Sequence, residues 1–168
     1  MGGPAADTFG GMGEDAYLLL GGNTGDPQRT LRLALAAIAE RIGPVRACSR
    51  DHWTEPWGFS DPRPFLNLAV HVETVLAPES VVAESLAIEE GLGRVRVPGL
   101  GPASRPIDID LLLYGGCVVE GPGVVVPHPR LHERAFALAP LADIAPQVVH
   151  PAKGRTVLEL LNALRTPA

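Results

Sequence analysis

Apolar and polar positions recur along this chain with a spacing that changes from segment to segment, and each spacing predicts an element. Ala16-Tyr-Leu-Leu-Leu20 is a short apolar strand that enters the turn Gly21-Gly-Asn-Thr-Gly25. Leu31, Leu35, Ile38 and Ile42 then fall three or four apart, so a helix begins at Pro27, with Asp26 as its cap, and stops at Gly43-Pro44. Val45 to Thr54 has mixed strand character. The prolines and glycine of Glu55-Pro-Trp-Gly-Phe-Ser-Asp-Pro-Arg-Pro64 forbid regular structure, and its aromatics mark a binding loop. From Phe65 to Thr74 the pattern alternates, with Leu66, Leu68, Val70 and Val72 on one face and Phe65, Asn67, Ala69 and His71 on the other. Pro78 opens a second helix through Val82, Leu86 and Leu92, ended by Gly91 and Gly93.

The last strong strand lies within Ser104 to Tyr114. Ile107, Ile109, Leu111 and Leu113 take one face, and Asp108, Asp110, Leu112 and Tyr114 the other. The order β-α-β-β-α-β predicts an α+β fold of the ferredoxin-like, split βαβ type, an antiparallel sheet with both helices on one face and the other face open. Gly115-Gly116 signals an added hairpin, with Cys117 to Glu120 as a short strand. His132 to Ile144 reads as helix broken at Pro140, and Thr156 with Glu159 forms the capping box of a C-terminal helix whose apolar face is Leu160, Leu161 and Leu164.

A length of 168 residues suits a single domain, assigned to residues 16–168. The Gly-rich residues 1–15 read as a flexible extension with neither the cationic start nor the apolar stretch of a signal, and Met12 offers an alternative start. A formal charge of −5 and a pI near 5.5 argue against nucleic-acid binding, and no apolar run is long enough to suggest a membrane span. Small-molecule partners are expected. Cys48 and Cys117 lack metal or redox spacing, read as buried strand residues and suit a reducing, cytoplasmic setting.

Asp108 and Asp110 carry the strongest chemical signal. At strand spacing they share a face beside an apolar core, where two carboxylates repel unless a cation lies between them, and magnesium takes such ligands. The bland alternative is a strand end that faces water. Arg94, Arg96, Arg105 and Arg134, with His128, form a local surplus of guanidinium in an acidic chain with one lysine, which points to phosphate. For each arginine, an ordinary ion pair with Glu89, Glu90, Glu120 or Glu133 is the competing reading. His128 and His132 have a spacing of four but no evident third ligand, which argues against zinc, and the glycines at 21–25 do not match a P-loop. Trp57, Phe65 and Phe136, with Asn67 beside them, suit a slot for a flat heterocycle, although a residue of this type taken alone is more often core.

Gly21-Gly-Asn23, Thr54-Glu-Pro-Trp-Gly58, Phe65-Leu-Asn67, Ile88-Glu89, Gly93-Arg-Val-Arg96, Arg105-Pro-Ile-Asp-Ile-Asp110, Val126-Pro-His128 and Arg134-Ala-Phe136 follow one another between Ala16 and Leu164. Together and in this order they resemble the 6-hydroxymethyl-7,8-dihydropterin pyrophosphokinase family of folate biosynthesis. The resemblance implies transfer of the β,γ-diphosphate of ATP to the hydroxymethyl group of 6-hydroxymethyl-7,8-dihydropterin, releasing AMP. It assigns two Mg²⁺ ions to Asp108 and Asp110, with Arg94 and Arg105 as catalytic partners. Glu89, Arg94, Arg96, Arg105, His128 and Arg134 fall at or near positions that handle ATP. Phe65 and Phe136 would sandwich the pterin, Asn67 would read its polar edge, and Trp57 and the Thr54 backbone would complete the pocket. Two departures stand out: glycine at position 22 where the family usually has serine, and a loop at 97–104 without the Arg-Trp pair of some members. That loop's glycines suggest a lid. A catalytically decayed relative and a small-ligand regulatory module are the alternatives.

Overall fold

The computed structural model describes residues 13–165. Residues 1–12 of the expected extension lie outside the described residues, whereas Glu14 and Asp15 already belong to the first strand, a correction to the boundary at 15.

β1 (Glu14–Gly22) is flanked by β4 (Phe65–Thr74) on one side and β5 (Asp108–Tyr114) on the other, antiparallel to both. β2 (Val45–Cys48) and β3 (His52–Thr54) both pair with the outer side of β4, and the sheet order is β2-β4-β1-β5. The strand expected over 45–54 is thus two. Between them Ser49 joins the ladder through its side chain: its N–H donates to the Ala69 carbonyl and its Oγ accepts the Ala69 N–H, each at 2.9 Å. The result is a mixed α/β fold around an antiparallel sheet.

α1 (Pro27–Arg41) starts where Asp26 accepts the Arg29 N–H at 3.2 Å, and α2 (Pro78–Gly91) follows Ala77. Both pack on one sheet face, where Leu31, Ala34, Ile38, Val81 and Ile88 meet Leu18, Leu20, Leu66, Val70, Val72, Ile109 and Leu111. The helical face of α2 is one residue off the expected one. Val81, Ser85, Ile88 and Glu89 are buried, Val82 and Leu92 are partly so, and Leu86 is exposed.

Alternation in β5 fails beyond Leu111, because Leu18 pairs with Leu111 while Tyr17 pairs with Leu113. Leu112 is the extra residue of a β-bulge, which reverses the faces that follow it. Leu113 therefore joins Leu112 on the second face, and Tyr114 enters the α1–α2 core, where its hydroxyl donates to the Leu76 carbonyl at 2.6 Å.

The second face is not left open. α3 (Ala135–Ile144) and α4 (Val157–Arg165) cover part of it, packing Leu138, Leu141, Val157 and Leu161 against Tyr17, Leu19, Ala69, Leu112 and Leu113. α3 also runs through Pro140 unbroken. Proline removes one N–H, but Ala137, Leu138, Pro140 and Leu141 are all buried, and that apolar burial holds the helix in place. The capping box of α4 forms as expected, with Thr156 N–H to Glu159 at 3.0 Å and Glu159 N–H to Thr156 at 3.1 Å, although Leu164 is exposed. The hairpin is β6 (Val119–Gly121) with β7 (Val124–Val126), so its turn lies at Pro122-Gly123 and not at Gly115-Gly116. A further small pair, β8 (Val149–His150) with β9 (Arg155–Thr156), precedes α4. Cys48 is exposed on the edge strand β2 and Cys117 half-buried in the turn after β5, so neither is a buried strand residue. Among the described residues no helix is long and apolar enough to cross a membrane.

Candidate active site

The uncovered part of the second face lies at the start of β5, and there the sequence-predicted residues converge. Asp108 and Asp110 project on the same side as Leu19 and Leu112. Asp108 accepts hydrogen bonds from Arg94 Nη1 at 2.8 Å and from Arg105 Nη2 at 3.0 Å. Burial pushes its carboxyl up, but Arg105 and Arg94 together outweigh that and hold it below the usual aspartate range. Asp110 is pushed up to about 7, first by burial and then by the charges of Asp108 and Glu89, against the pull of Arg134 and Arg105. These carboxylates are not a solvated strand end.

Glu89, expected among the ATP-handling residues, lies beneath the site instead of in it. It is 1% exposed, and its Oε1 accepts from Arg94 at 2.9 Å and from the Ile109 N–H at 3.0 Å while Oε2 accepts from Arg96 at 3.0 Å. Burial, followed by the charge of Asp108, raises its pKa. The ion-pair reading thus holds for Arg94 and Arg96 as far as Glu89 goes. Even so, Arg94 is itself largely enclosed and also serves Asp108.

Two clefts meet here. The first, about 630 Å³ including its mouth, has Phe65 and Asn67 from β4, Phe136 from α3, and Trp57 and Phe59 from the 55–64 loop in its walls. Phe59 meets Phe65 edge-on at 5.9 Å, Trp57 lies 6.1 Å from Phe136, and Arg105 sits over the Phe65 ring at 4.9 Å. Asn67 is buried and donates to Thr54 Oγ1 at 2.7 Å. Gly21 keeps the floor clear, since a Cβ there would stand 3.4 Å from Asn67 Oδ1. The second cleft, about 1470 Å³ including its mouth, is lined by Arg94, Arg96, His128 and the loop from Val97 to Ser104. Pro102, Arg105, Asp108, Asp110 and Arg134 belong to both.

His128 is held to β5 by its N–H to the Leu112 carbonyl at 2.9 Å. Burial, then the Arg134 charge, pushes its pKa down to about 4, so the ring is neutral at pH 7. Its Nδ1 accepts the Arg130 N–H at 3.3 Å, which assigns the remaining ring proton to Nε2. His132 packs edge-on against His150 at 6.5 Å. Arg134 lies over Trp57 at 4.8 Å and Phe136 at 5.5 Å, and its buried Nε has no hydrogen-bond partner among the described residues. The Arg105 Nε is likewise buried and without one. Both are donors in a site whose two clefts are open to a ligand.

Sequence reasoning missed Phe59, although it sits in the aromatic loop, and the part played by Asn23. That buried side chain accepts the Arg105 N–H at 2.9 Å and donates to Ser104 Oγ at 2.9 Å, while the Asn23 backbone N–H donates to the Arg105 carbonyl at 3.0 Å. Residues 105–106 come so close to β1 that a Cβ at Gly22 would run into the Pro106 carbonyl, an approach that glycine in place of the expected serine permits.

A mixed α/β fold here sets an acidic pair and arginines between an aromatic slot and a basic groove, a site of the class that can bring phosphate groups beside a flat ring. Comparison with known proteins narrows the class. The profile of the 7,8-dihydro-6-hydroxymethylpterin-pyrophosphokinase (HPPK) family matches residues 17–146. Over 150 residues the chain is 46% identical to a 2-amino-4-hydroxy-6-hydroxymethyldihydropteridine pyrophosphokinase of Methylorubrum extorquens, covering 89% of this chain and 92% of that one. A Bacillus subtilis protein of the same name is 41% identical over 82% of this chain and 81% of its own length. The crystal structure of wild-type Plasmodium falciparum HPPK-DHPS shares the fold, with a TM-score of 0.74 and 16% identity over 90% of this chain, which spans 44% of that longer one. The chain belongs to the 7,8-dihydro-6-hydroxymethylpterin-pyrophosphokinase family.

Proposed function

We propose that the chain transfers the β,γ-diphosphate of ATP to the hydroxymethyl oxygen of 6-hydroxymethyl-7,8-dihydropterin, giving the pterin diphosphate and AMP in folate biosynthesis. The observation that carries this reading is that the aromatic slot and the basic groove share Arg105, Arg134, Asp108 and Asp110. A ring in the slot and a triphosphate in the groove meet there. Phe65 and Phe136 stack on the pterin, Trp57 closes the slot, and Asn67, oriented by Thr54, reads the polar edge of the ring. Arg94, Arg96, Arg105 and Arg134 pair with phosphate oxygens, and His128 donates from Nε2. Glu89 keeps Arg94 and Arg96 extended toward the groove.

Diphosphoryl transfer needs in-line positioning and charge neutralisation more than covalent chemistry. The slot holds the hydroxymethyl oxygen toward the β-phosphorus, and the shared arginines face the charge that builds on the departing AMP. Asp108 and Asp110 would hold two Mg²⁺ ions. Two carboxylates on one strand face, with arginines around them, fit a cation that completes its shell with phosphate and water, and burial together with the charges of Asp108 and Glu89 raises the Asp110 pKa in a way that a bound cation would offset. When bound, the metal neutralises phosphate charge. We also read the frame as the split βαβ arrangement, on the strength of the β2-β4-β1-β5 order with α1 and α2 on one face.

The deciding test is product analysis with ATP, Mg²⁺ and reduced hydroxymethylpterin. AMP is expected only when pterin is present, and ADP, or AMP formation indifferent to pterin, would refute the reading. Calorimetric titration of Phe136→Ala should show pterin affinity lowered by about tenfold to a hundredfold, from the roughly 1.5–3 kcal/mol that burying such a ring contributes. Nucleotide affinity should stay unchanged, and an unaltered pterin affinity would remove Phe136 from the slot.

A further inference from the structure

Trp57 is 43% exposed and rides on a loop with three prolines and a glycine, yet its ring meets Phe136, Arg134 and Arg130. Two of them already have a place in the site. Arg130 does not, for it lines neither cleft, and its guanidinium stands 4.6 Å from the Trp57 ring centre, closer than that of Arg134. Its backbone is fixed by the N–H bond to His128 Nδ1, between Pro129 and the helical turn Leu131–Glu133. Its side chain is steered by Glu133, 3.4 Å away. Two guanidinium groups beside one indole repel each other, and the Arg130 charge, after burial, helps to pull the Arg134 pKa down. The indole face attracts both, and Glu133 offsets the Arg130 charge from outside the cleft.

We propose that Arg130 is a positioning residue that clamps Trp57 over the mouth of the ring slot through a cation–π contact. It acts on the ring substrate through Trp57 and touches neither substrate, and its charge reaches the phosphate side only through space, by way of Arg134 and His128, so its larger effect falls on the slot side of the reaction. The claim that the slot's occupant is a pterin rests on the function proposed above; the clamp itself does not.

The two parts are separable in one experiment. Trp53 and Trp57 are the two tryptophans of the chain, so in a Trp53→Phe background, excited at the red edge where tyrosine does not absorb, the emission is that of Trp57. Arg130→Ala should then shift the emission to the red and raise its quenching by acrylamide, while Arg130→Lys, which keeps a cation, should restore most of the parent signal. In steady-state assays Arg130→Ala should raise the pterin KM by about two- to fivefold, the size an exposed cation–π contact supplies, with a clearly smaller change in the ATP KM. Unaltered quenching in Arg130→Ala overturns the clamp, as does failure of lysine to rescue, or an equal rise in both KM values. Absence of pterin-dependent AMP from the parent protein would instead count against the proposed function, and the fluorescence would still decide the clamp.

Discussion

Asp110→Ala should lower pterin-dependent AMP formation by about a thousandfold or more, because it removes half of the carboxylate pair that faces the transferred group. The fold should persist, since Asp110 is no part of the apolar clusters on either side of the sheet. Circular dichroism and a single-turnover assay together check this, and turnover within tenfold of the parent would refute the role. Asp110→Asn adds a test that needs no substrate. In metal-free protein the Asp110 carboxyl titrates at about 7, whereas an aspartate in the unfolded chain titrates near 3.9. Between those values the folded chain keeps a proton that the unfolded chain has lost, so stability falls as pH rises through the window and levels off above it. The asparagine variant lacks that contribution. Urea titrations in EDTA from about pH 5 to about pH 8 should therefore show a shallower decline for the variant. Mg²⁺ should then stabilise the parent protein at the upper end of that range and leave the variant unmoved.

Glu89→Ala is the substitution expected to cost most stability, about 1–3 kcal/mol, since it orphans the buried Ile109 N–H and removes one of the two carboxylates that hold Arg94, Asp108 being the other. Glu89→Gln keeps an acceptor for that N–H and should lose less. Urea unfolding measures both, and a loss below about 1 kcal/mol for alanine would put the contact among surface ion pairs. Activity should fall in parallel, because Glu89 holds both Arg94 and Arg96 and the backbone of β5 between the two aspartates.

Much of the site was legible because its residues stand at short, meaningful spacings. Asp108 and Asp110 fall two apart on a strand, and Phe65 and Asn67 do the same on β4, so a strand at either place delivers each pair to one face whatever surrounds it. Loop composition was enough to mark residues 55–64, where Trp57 and Phe59 lie. Other features depend on partners far along the chain. Glu89 reads as one more surface acid of α2, and only the meeting of α2 with β5 encloses it between Arg94, Arg96 and the Ile109 N–H. Asn23 acquires its task from Arg105, eighty-two positions away. The β5 bulge leaves no mark in the run Leu111-Leu-Leu113, because three leucines look alike on either face, and so Leu113 and Tyr114 exchange sides unannounced.

The sequence by itself determined the alternation of strands and helices as far as β5, apart from the split between β2 and β3, together with the capped starts of α1 and α4, the acidic pair and every aromatic of the slot but Phe59, because these follow from periodicity and local chemistry within a few residues. Only the tertiary structure decided that α3 and α4 cover much of the second sheet face, that Pro140 stays inside a helix, and that slot and groove open onto the same four charged residues. Such features are set by which apolar surfaces bury one another and by which charges are enclosed together, and that balance is struck between segments distant in the chain.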